Sequence, residues 1–177
     1  MFYMKFLDPN DVLKQFGIYG TQHVADFGAG AGHFALAAAR RLDGGRLYAV
    51  DLEHEMLARL VSEADRLGHK NIFPLWGDTA KRGGVPLAND TVDRAIATNV
   101  LYQVDDRNAF VEEVARVLRP GGKVLVVEWK HDAPGGPHPT HKISPEIMLA
   151  LFGRHGFIKE SDVDAGGYHY GIIFGRE

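Results

Sequence analysis

Short apolar runs rich in β-branched residues alternate along the chain with longer stretches whose apolar residues recur at helical spacing. The short runs predict strands over 23–27, 46–50, 71–76, 91–98 and 123–129. The stretches between and around them predict helices over 8–16, 33–42, 53–67, 107–118 and 144–156. Two last runs, 157–163 and 168–174, are separated by four turn-forming residues and predict a hairpin. This alternation favours an α/β fold with a mostly parallel sheet and an antiparallel edge.

Composition narrows the class of protein. The 177 residues suit a single domain spanning 1–177, and no apolar run approaches the length that a membrane span needs. No secretion signal is recognisable at the start, so we expect a cytoplasmic protein. Cysteine is absent, which excludes disulfides, thiolate metal sites and cysteine nucleophiles. The net charge of -3 gives no sign of a basic surface for nucleic acid.

A glycine-rich segment after the first predicted strand is the strongest chemical signal. The strand runs into Gly28, Gly30 and Gly32, with Asp26 before them, and a helix follows. Glycine lets the backbone approach a ligand closely, and the first N–H groups of a helix are free to bind it. The spacing G-x-G-x-G differs from the G-x-G-x-x-G of dinucleotide-binding proteins. The alternative is a tight turn that binds nothing.

Acids and amides also follow the next three predicted strands. Asp51 ends the second strand, where a carboxylate can accept both hydroxyls of a ribose, although it could equally cap the next helix. Asp78 follows the third strand, where it can bind an exocyclic amine or simply stabilise a turn. The segment 99–102 follows the fourth strand, and 119–122 leads into the fifth.

In this order the segments resemble the class I S-adenosylmethionine-dependent methyltransferases, most closely the ubiquinone/menaquinone biosynthesis group, over residues 6–174. The resemblance implies one Rossmann-like doubly wound sheet of seven strands in the order 3-2-1-4-5-7-6, with strand seven antiparallel and helices on both faces. It implies S-adenosylmethionine as cofactor and S-adenosylhomocysteine as product. The cofactor-binding residues that it implies are Asp26, Phe27, Gly28, Ala29, Gly30, Gly32, Asp51, Leu52, Met56, Gly77, Asp78, Thr79, Asn99, Val100 and Leu101.

The resemblance also implies what each part of this set does. The glycine segment would cradle the methionine part of the cofactor. Asp51 would hold the ribose, Leu52 would pack on the adenine, and residues 78–79 would address the adenine edge. Asn99 and Leu101 would line the cofactor next to the transferred methyl group.

Two departures from the family pattern change the picture. The tetrapeptide 99–102 is N-V-L-Y and lacks the prolines of N-P-P-Y, which argues against methylation of DNA amines or protein glutamine. About twenty residues precede the first strand, whereas many relatives carry longer N-terminal helices that cover the substrate. We therefore expect the segment 1–20, through its aromatic residues Phe2, Tyr3 and Phe6, to fold over the cofactor cleft.

The catalytic residues stay unassigned, with Glu128, His131 and Tyr102 as candidates near the carboxyl ends of strands. Burial at a strand end would raise the pKa of Glu128 and suit a base, but pairing with an arginine or lysine is the alternative. Trp129 can shape an acceptor pocket or pack in the core. Strand alternation predicts that His169 faces away from the two tyrosines that flank it.

The loop 130–142 is the longest irregular stretch and carries three histidines, His131, His138 and His141. The spacing H-P-T-H is similar to part of a metal site, but the prolines break any helix that would align the pair and no acid lies between Asp132 and Glu146. We therefore expect a solvated lid loop and no metal.

Together these features predict methyl transfer from S-adenosylmethionine to a small-molecule acceptor by in-line displacement. The alternatives are a non-catalytic, cofactor-binding partner subunit and a protein methyltransferase. An NAD-dependent oxidoreductase is disfavoured by the glycine spacing and by the lack of a Y-x-x-x-K pair. Nucleic acid is not expected as a partner, and a homodimer is left open.

Overall fold

A computed structural model of the chain describes residues 6–177, so the predicted role of Phe2 and Tyr3 lies outside the described residues. One seven-stranded sheet forms its centre. The strands are β1 (His23–Phe27), β2 (Arg46–Asp51), β3 (Ile72–Trp76), β4 (Val92–Thr98), β5 (Leu118–Trp129), β6 (Phe157–Val163) and β7 (His169–Arg176). Their order is β3-β2-β1-β4-β5-β7-β6. The first five strands are parallel, and β7 is antiparallel to both of its neighbours. The predicted topology is therefore confirmed.

Residues 6–177 also form five α-helices and two short 3-10 turns, of which the first helix precedes the first strand and the others connect strands. They are α1 (Pro9–Phe16), α2 (His33–Ala39), α3 (His54–Leu67), α4 (Arg107–Val117) and α5 (Pro145–Arg154), with 3-10 turns at Leu101–Gln103 and Pro139–His141. Helix α1 shows why the sequence predicted its ends. The carboxylate of Asp8 accepts the N–H of Asn10 at 2.8 Å, and Pro9 occupies the first turn. Gly17 ends the helix in the left-handed conformation.

The helices cover both faces of the sheet, and each face has its own apolar core. On one face, α1, α2 and α3 pack on the sheet through residues such as Leu13, Phe34 and Leu60. On the other face, α4 and α5 do so through residues such as Phe110 and Phe152. Side chains of a parallel strand alternate between the faces, so each central strand contributes to both cores. None of the helices within residues 6–177 is long and apolar enough to cross a membrane.

Several predicted element boundaries differ from the structure, most clearly those of α2 and β5. Helix α2 ends at Ala39 rather than at Leu42, because residues 40–41 form a turn and Leu42 forms an isolated bridge with Gly20. Strand β5 begins at Leu118, which pairs with Val92 directly after α4. Residues 119–122 then bulge out of the ladder before Lys123 pairs with Arg94. The bulge is the R-P-G-G segment that was predicted to separate helix from strand.

Backbone hydrogen bonds beyond the strand ends gather the functional loops at one edge of the sheet. The N–H groups of Gly28 and Ala29 donate to the carbonyl of Val50 at 2.9 and 3.0 Å. The N–H of Gly77 donates to the Asp51 carbonyl at 3.1 Å. The N–H of Asn99 donates to the Val127 carbonyl at 2.8 Å. The loops after β1, β2, β3 and β4 are therefore held side by side at the carboxyl ends of the strands.

Candidate functional site

A cleft of about 640 Å³ lies at this edge of the sheet and is called the first cleft here. The loops after β1, β2, β3 and β4 form its walls. Its lining residues are Gly28, Gly30, Asp51, Leu52, Glu53, Met56, Asp78, Thr79, Ala80, Val100, Gln103, Val104, Asp105 and Asp106. The structure therefore brings together predicted site residues from four separate loops.

A second cleft of about 580 Å³ adjoins the first. Its lining residues are Leu7, Pro9, Gly28, Ala29, Gly30, Ala31, His33, Phe34, Thr98, Asn99, Tyr102 and Gln103. Gly28, Gly30 and Gln103 line both clefts, so the glycine loop lies where the two meet. A ligand that passes over this loop can occupy both clefts at once. Leu7 and Pro9, just before and at the start of α1, form part of the wall of the second cleft.

The glycine loop presents bare backbone to this space. Gly28 has a φ of 75°, and an added Cβ would lie 2.6 Å from Cγ2 of Val100. A side chain at Gly28 would therefore force the loops after β1 and β4 apart. An added Cβ at Gly30 would meet nothing within 4 Å, so Gly30 faces open space. The loop is packed from behind and accessible from the front, as a backbone cradle for a ligand requires.

Asp51 ties the glycine loop to the loop after β2. Its Oδ2 accepts the N–H of Gly30 at 2.8 Å, and its Oδ1 accepts the N–H of Glu53 at 2.9 Å. Glu53, rather than Asp51, occupies the N-cap position of α3. A carboxylate has about four lone-pair sites, so Asp51 keeps acceptor capacity toward the cleft. The carboxylate is therefore both oriented by the backbone and available to ligand hydroxyls.

Asp26 is a buried carboxyl group beneath the glycine loop. Its side chain is 1% exposed, and within residues 6–177 neither oxygen forms a well-aligned hydrogen bond, although the backbone N–H of Ala35 lies near enough to oppose the rise in its pKa. Burial, together with the charge of Asp51, raises the pKa of Asp26 from 3.8 to about 7. A buried carboxyl without a partner is costly to ionise. A cationic ligand group in the adjoining clefts would offset that cost.

The wall of the first cleft formed by the loops after β2 and β3 combines an apolar surface with an acid. Leu52 is 56% exposed, and its carbonyl accepts the indole N–H of Trp76 at 2.9 Å. The carboxylate of Asp78 accepts the N–H of Ala80 at 2.9 Å. An exposed leucine beside an acid suits a planar heterocycle that carries an exocyclic amine.

Five of the predicted residues do not line either cleft, namely Asp26, Phe27, Gly32, Gly77 and Leu101. Phe27 packs edge-to-face against Phe110 at 5.8 Å, and Leu101 is fully buried. Sequence reasoning missed Gln103, Val104, Asp105 and Asp106, which line the first cleft. The available signal was their position, since they directly follow the recognised segment 99–102.

Glu128 does not face the clefts. It is 1% exposed, and its Oε1 accepts the N–H of Leu101 at 2.8 Å. Within residues 6–177 it forms no ion pair, so the expected arginine or lysine partner is replaced by backbone N–H groups of the turn after β4. Burial raises the pKa of Glu128 to about 7 even though these N–H groups oppose the shift.

The other two catalytic candidates have different surroundings. Tyr102 lines the second cleft, and burial and the charge of Glu128 raise the pKa of its hydroxyl, so it remains a hydrogen-bond donor at neutral pH. His131 is exposed in the loop after β5. In the same loop the rings of His138 and His141 lie 6.3 Å apart. Residues 6–177 contain no group of three histidine, aspartate or glutamate side chains placed to hold a metal ion.

Comparison with known proteins gives the same family as the motifs. A family model described as a methyltransferase domain matches residues 25–126, more than half of the chain. A demethylmenaquinone methyltransferase of Tropheryma whipplei is 30% identical over 138 residues, which is 78% of this chain and 52% of that protein. A malonyl-[acyl-carrier protein] O-methyltransferase of Hahella chejuensis is 28% identical over 137 residues, 71% of this chain and 47% of that protein. The chain thus spans about half the length of these curated relatives.

A solved structure covers nearly the whole fold. An S-adenosylmethionine-dependent methyltransferase from Aquifex aeolicus superposes with a TM-score of 0.89 at 27% identity. The match covers 97% of this chain and 91% of the Aquifex chain.

Proposed function

The chain belongs to the methyltransferase domain family, whose members use S-adenosylmethionine, and from this premise we propose that it transfers a methyl group to a small-molecule acceptor. The observation that carries the proposal is the pair of clefts that meet at the glycine loop, with Asp51 bound to the backbone of that loop. S-adenosylmethionine supplies an electrophilic methyl group on a sulfonium. The small-molecule acceptor and a cytoplasmic location are parts of this proposal.

The residues present fit this cofactor at both of its ends. In the first cleft, the free lone pairs of Asp51 would accept the ribose hydroxyls. Leu52 would pack on the adenine, and Asp78 would accept its amine. Beneath the glycine loop, the unpaired carboxyl of Asp26 would stabilise the positive charges of the methionine part. Gly30 leaves the room that the ligand needs to cross between the clefts.

On the acceptor side, the chain contributes alignment and exclusion of water. Tyr102 and Asn99 line the second cleft, where the hydroxyl of Tyr102 can donate a hydrogen bond to an acceptor. Glu128 is enclosed by the turn after β4, so it orients that turn and takes no proton from a ligand in the cleft. An activated methyl group reacts once the acceptor is aligned with it and desolvated.

The relatives support a small molecule without naming it. The two curated relatives are named for a demethylated menaquinone and for a malonyl group on a carrier protein. These acceptors differ in chemistry, although the shared domain is the same. The acceptor is therefore decided by residues outside the glycine loop.

Binding of S-adenosylhomocysteine to the purified chain tests the proposal. Calorimetric titration should show one site, and Asp51→Ala should weaken binding by at least about tenfold, because it removes the acceptor that also holds Gly30. Asp65→Ala is the matched control, since that exposed acid lies on α3 away from both clefts. Binding of NAD instead, or equal binding by Asp51→Ala, would contradict the proposal.

Methyl transfer by the isolated chain separates an enzyme from a non-catalytic partner subunit. With radiolabelled S-adenosylmethionine and a panel of ring-containing small molecules, the proposal expects label in a small-molecule product. Label found only in added protein would favour the protein methyltransferase alternative. Cofactor binding without transfer in any mixture would favour a partner subunit.

A further inference from the structure

We propose that a third cavity, called the aromatic pocket here, binds the methyl acceptor and selects an uncharged, planar ring. The inference rests on the proposed function and names its substrate class. The pocket has a volume of about 480 Å³. Its lining residues are Phe6, Leu7, Trp129, Pro134, Gly135, Tyr168 and His169.

The aromatic pocket adjoins the second cleft. Leu7 lines both. Trp129 is the last residue of β5, and β5 pairs with β4, whose Thr98 lies opposite Val127 and also lines the second cleft. A molecule in the aromatic pocket thus lies at the same edge of the sheet as the glycine loop, on the face covered by α1 and α2. This is where an acceptor can approach the transferred methyl group.

The walls of the pocket are built from rings. The rings of Trp129 and His169 lie 4.1 Å apart, and those of Phe6 and Tyr168 lie 5.9 Å apart. Phe6 is 73% exposed, so a ring bound against it would remove apolar surface from water. Aromatic side chains favour offset or edge contacts with other rings, which a planar ligand can extend.

The lining carries no charged side chain that could pair with an ionic ligand. His169 is 6% exposed, and burial, helped by the charge of Lys130, lowers the pKa of its imidazole to about 4. The ring is therefore neutral at neutral pH. The ammonium of Lys130 donates to the carbonyl of Gly166 at 3.2 Å. A charged acceptor would lose hydration in this pocket without touching a side chain of opposite charge among the lining residues.

The loop after β5 forms one wall and is held against the indole. An added Cβ at Gly136 would lie 2.4 Å from Cδ2 of Trp129, so the backbone packs directly on the ring. The ammonium of the buried Lys142 donates to the carbonyl of Ala133 at 2.7 Å and fixes the loop in this position. Pro134 and Gly135 of this largely exposed loop thus form one wall of the pocket.

The two tryptophans of the chain allow the pocket and the cofactor site to be followed separately. Each gives one indole N–H signal in a ¹H–¹⁵N spectrum, and Trp76→Phe assigns them. The indole N–H of Trp76 donates a hydrogen bond to the carbonyl of Leu52, which lines the first cleft, so binding of S-adenosylhomocysteine should shift the Trp76 signal. The uncharged planar probe 2-naphthol should shift the Trp129 signal saturably and leave the Trp76 signal in place. The charged 2-naphthoate and the non-planar decahydro-2-naphthol should bind at least about tenfold more weakly.

Gly135→Leu is the blocking variant, because a Cβ there lies 3.9 Å from the Trp129 ring in ordinary contact and the side chain would fill the pocket. Gly153→Leu is its control, since that glycine is exposed on α5 with nothing within 4 Å. Loss of 2-naphthol binding in the first variant only supports the proposal. An unmoved Trp129 signal, equal binding of the three probes, or full binding by Gly135→Leu would overturn it. Failure of S-adenosylhomocysteine to bind would instead contradict the proposed function.

Discussion

At the scale of single residues, the site depends on two carboxyl groups with opposite surroundings. Asp51 accepts two backbone N–H groups, whereas Asp26 forms no well-aligned hydrogen bond within residues 6–177. Asp51 was chosen from the sequence by its position at a strand end, and Asp26 by its position two residues before the first glycine of the loop. Only the packed structure shows that one is exposed to the cleft and the other is enclosed, because burial depends on what covers the loop.

The enclosure of Asp26 predicts a pH dependence of stability. Between its ordinary pKa of 3.8 and its raised value of about 7, the folded chain holds a proton that the unfolded chain has lost. The free energy of unfolding therefore falls as the pH rises through this range, by on the order of 4 kcal/mol from this group. Asp26→Asn has no carboxyl at this position and does not lose stability in this way. The difference in unfolding free energy between Asp26→Asn and the parent should therefore grow in favour of the variant as the pH rises from about 4 to about 7, and stay constant above that. Urea unfolding at a series of pH values measures the difference.

Glu128 also has a raised pKa, so its titration lowers the free energy of unfolding with rising pH in the parent and in Asp26→Asn alike. Only the difference in unfolding free energy between the two proteins therefore reports on Asp26. Asp65→Asn serves as a control for an exposed acid and should follow the parent. A constant difference between Asp26→Asn and the parent across the range would show that Asp26 is ionised in the fold.

At the scale of elements, neighbouring strand ends hold one another in place. Glu128 at the end of β5 binds the N–H of Leu101 in the turn after β4. Asn99 begins this turn with a φ of 54°, an uncommon conformation for a residue other than glycine. Tyr102 and Gln103 from the same turn line the clefts. Glu128 thus positions the turn that carries these cleft residues, although its own side chain lines neither cleft.

Substitution of Glu128 tests this link. Glu128→Leu leaves the buried N–H of Leu101 without a partner and should cost about 1–3 kcal/mol of unfolding free energy. It should also weaken S-adenosylhomocysteine binding, whereas Glu128→Gln keeps an acceptor oxygen and should restore most of both. Denaturant unfolding and calorimetric titration provide the two measurements. Equal losses in both variants would show that the charge, rather than the acceptor, matters.

At the scale of the whole molecule, the two apolar cores share one sheet. Each central strand sends alternate side chains into both cores, so neither core can open without exposing the other. The clefts are built from loops after four of these strands. A ligand bound there contacts loops that follow four different strands, so its binding depends on the whole sheet being folded.

We therefore expect one cooperative unfolding transition whose midpoint rises with ligand. Near-ultraviolet and far-ultraviolet circular dichroism should give the same thermal midpoint. S-adenosylhomocysteine at about one hundred times its dissociation constant should add about 2.7 kcal/mol of stability to both signals. A separate early transition, or a ligand effect on only one signal, would mean that part of the chain unfolds independently.

The sequence by itself determined the order of elements and most of the loop chemistry. Strand and helix periodicity, the caps of α1 and the glycine spacing are local properties, and local interactions largely decide them. The motif resemblance supplied the sheet order, which the structure confirms. The rule that parallel strands end at one edge of the sheet predicts a common site for Asp51 and Asp78, and both line the first cleft.

Only the tertiary structure decided which side chains face a ligand. Strand alternation assigned Tyr168 to the opposite face from His169, but β7 begins at His169, so both line the aromatic pocket. For Glu128 the sequence left open a catalytic base or a pair with a basic side chain, and the structure shows its Oε1 accepting the backbone N–H of Leu101 in another loop. These outcomes depend on contacts between segments that are far apart in the sequence, and a local pattern of residues does not determine which distant segments will pack against each other.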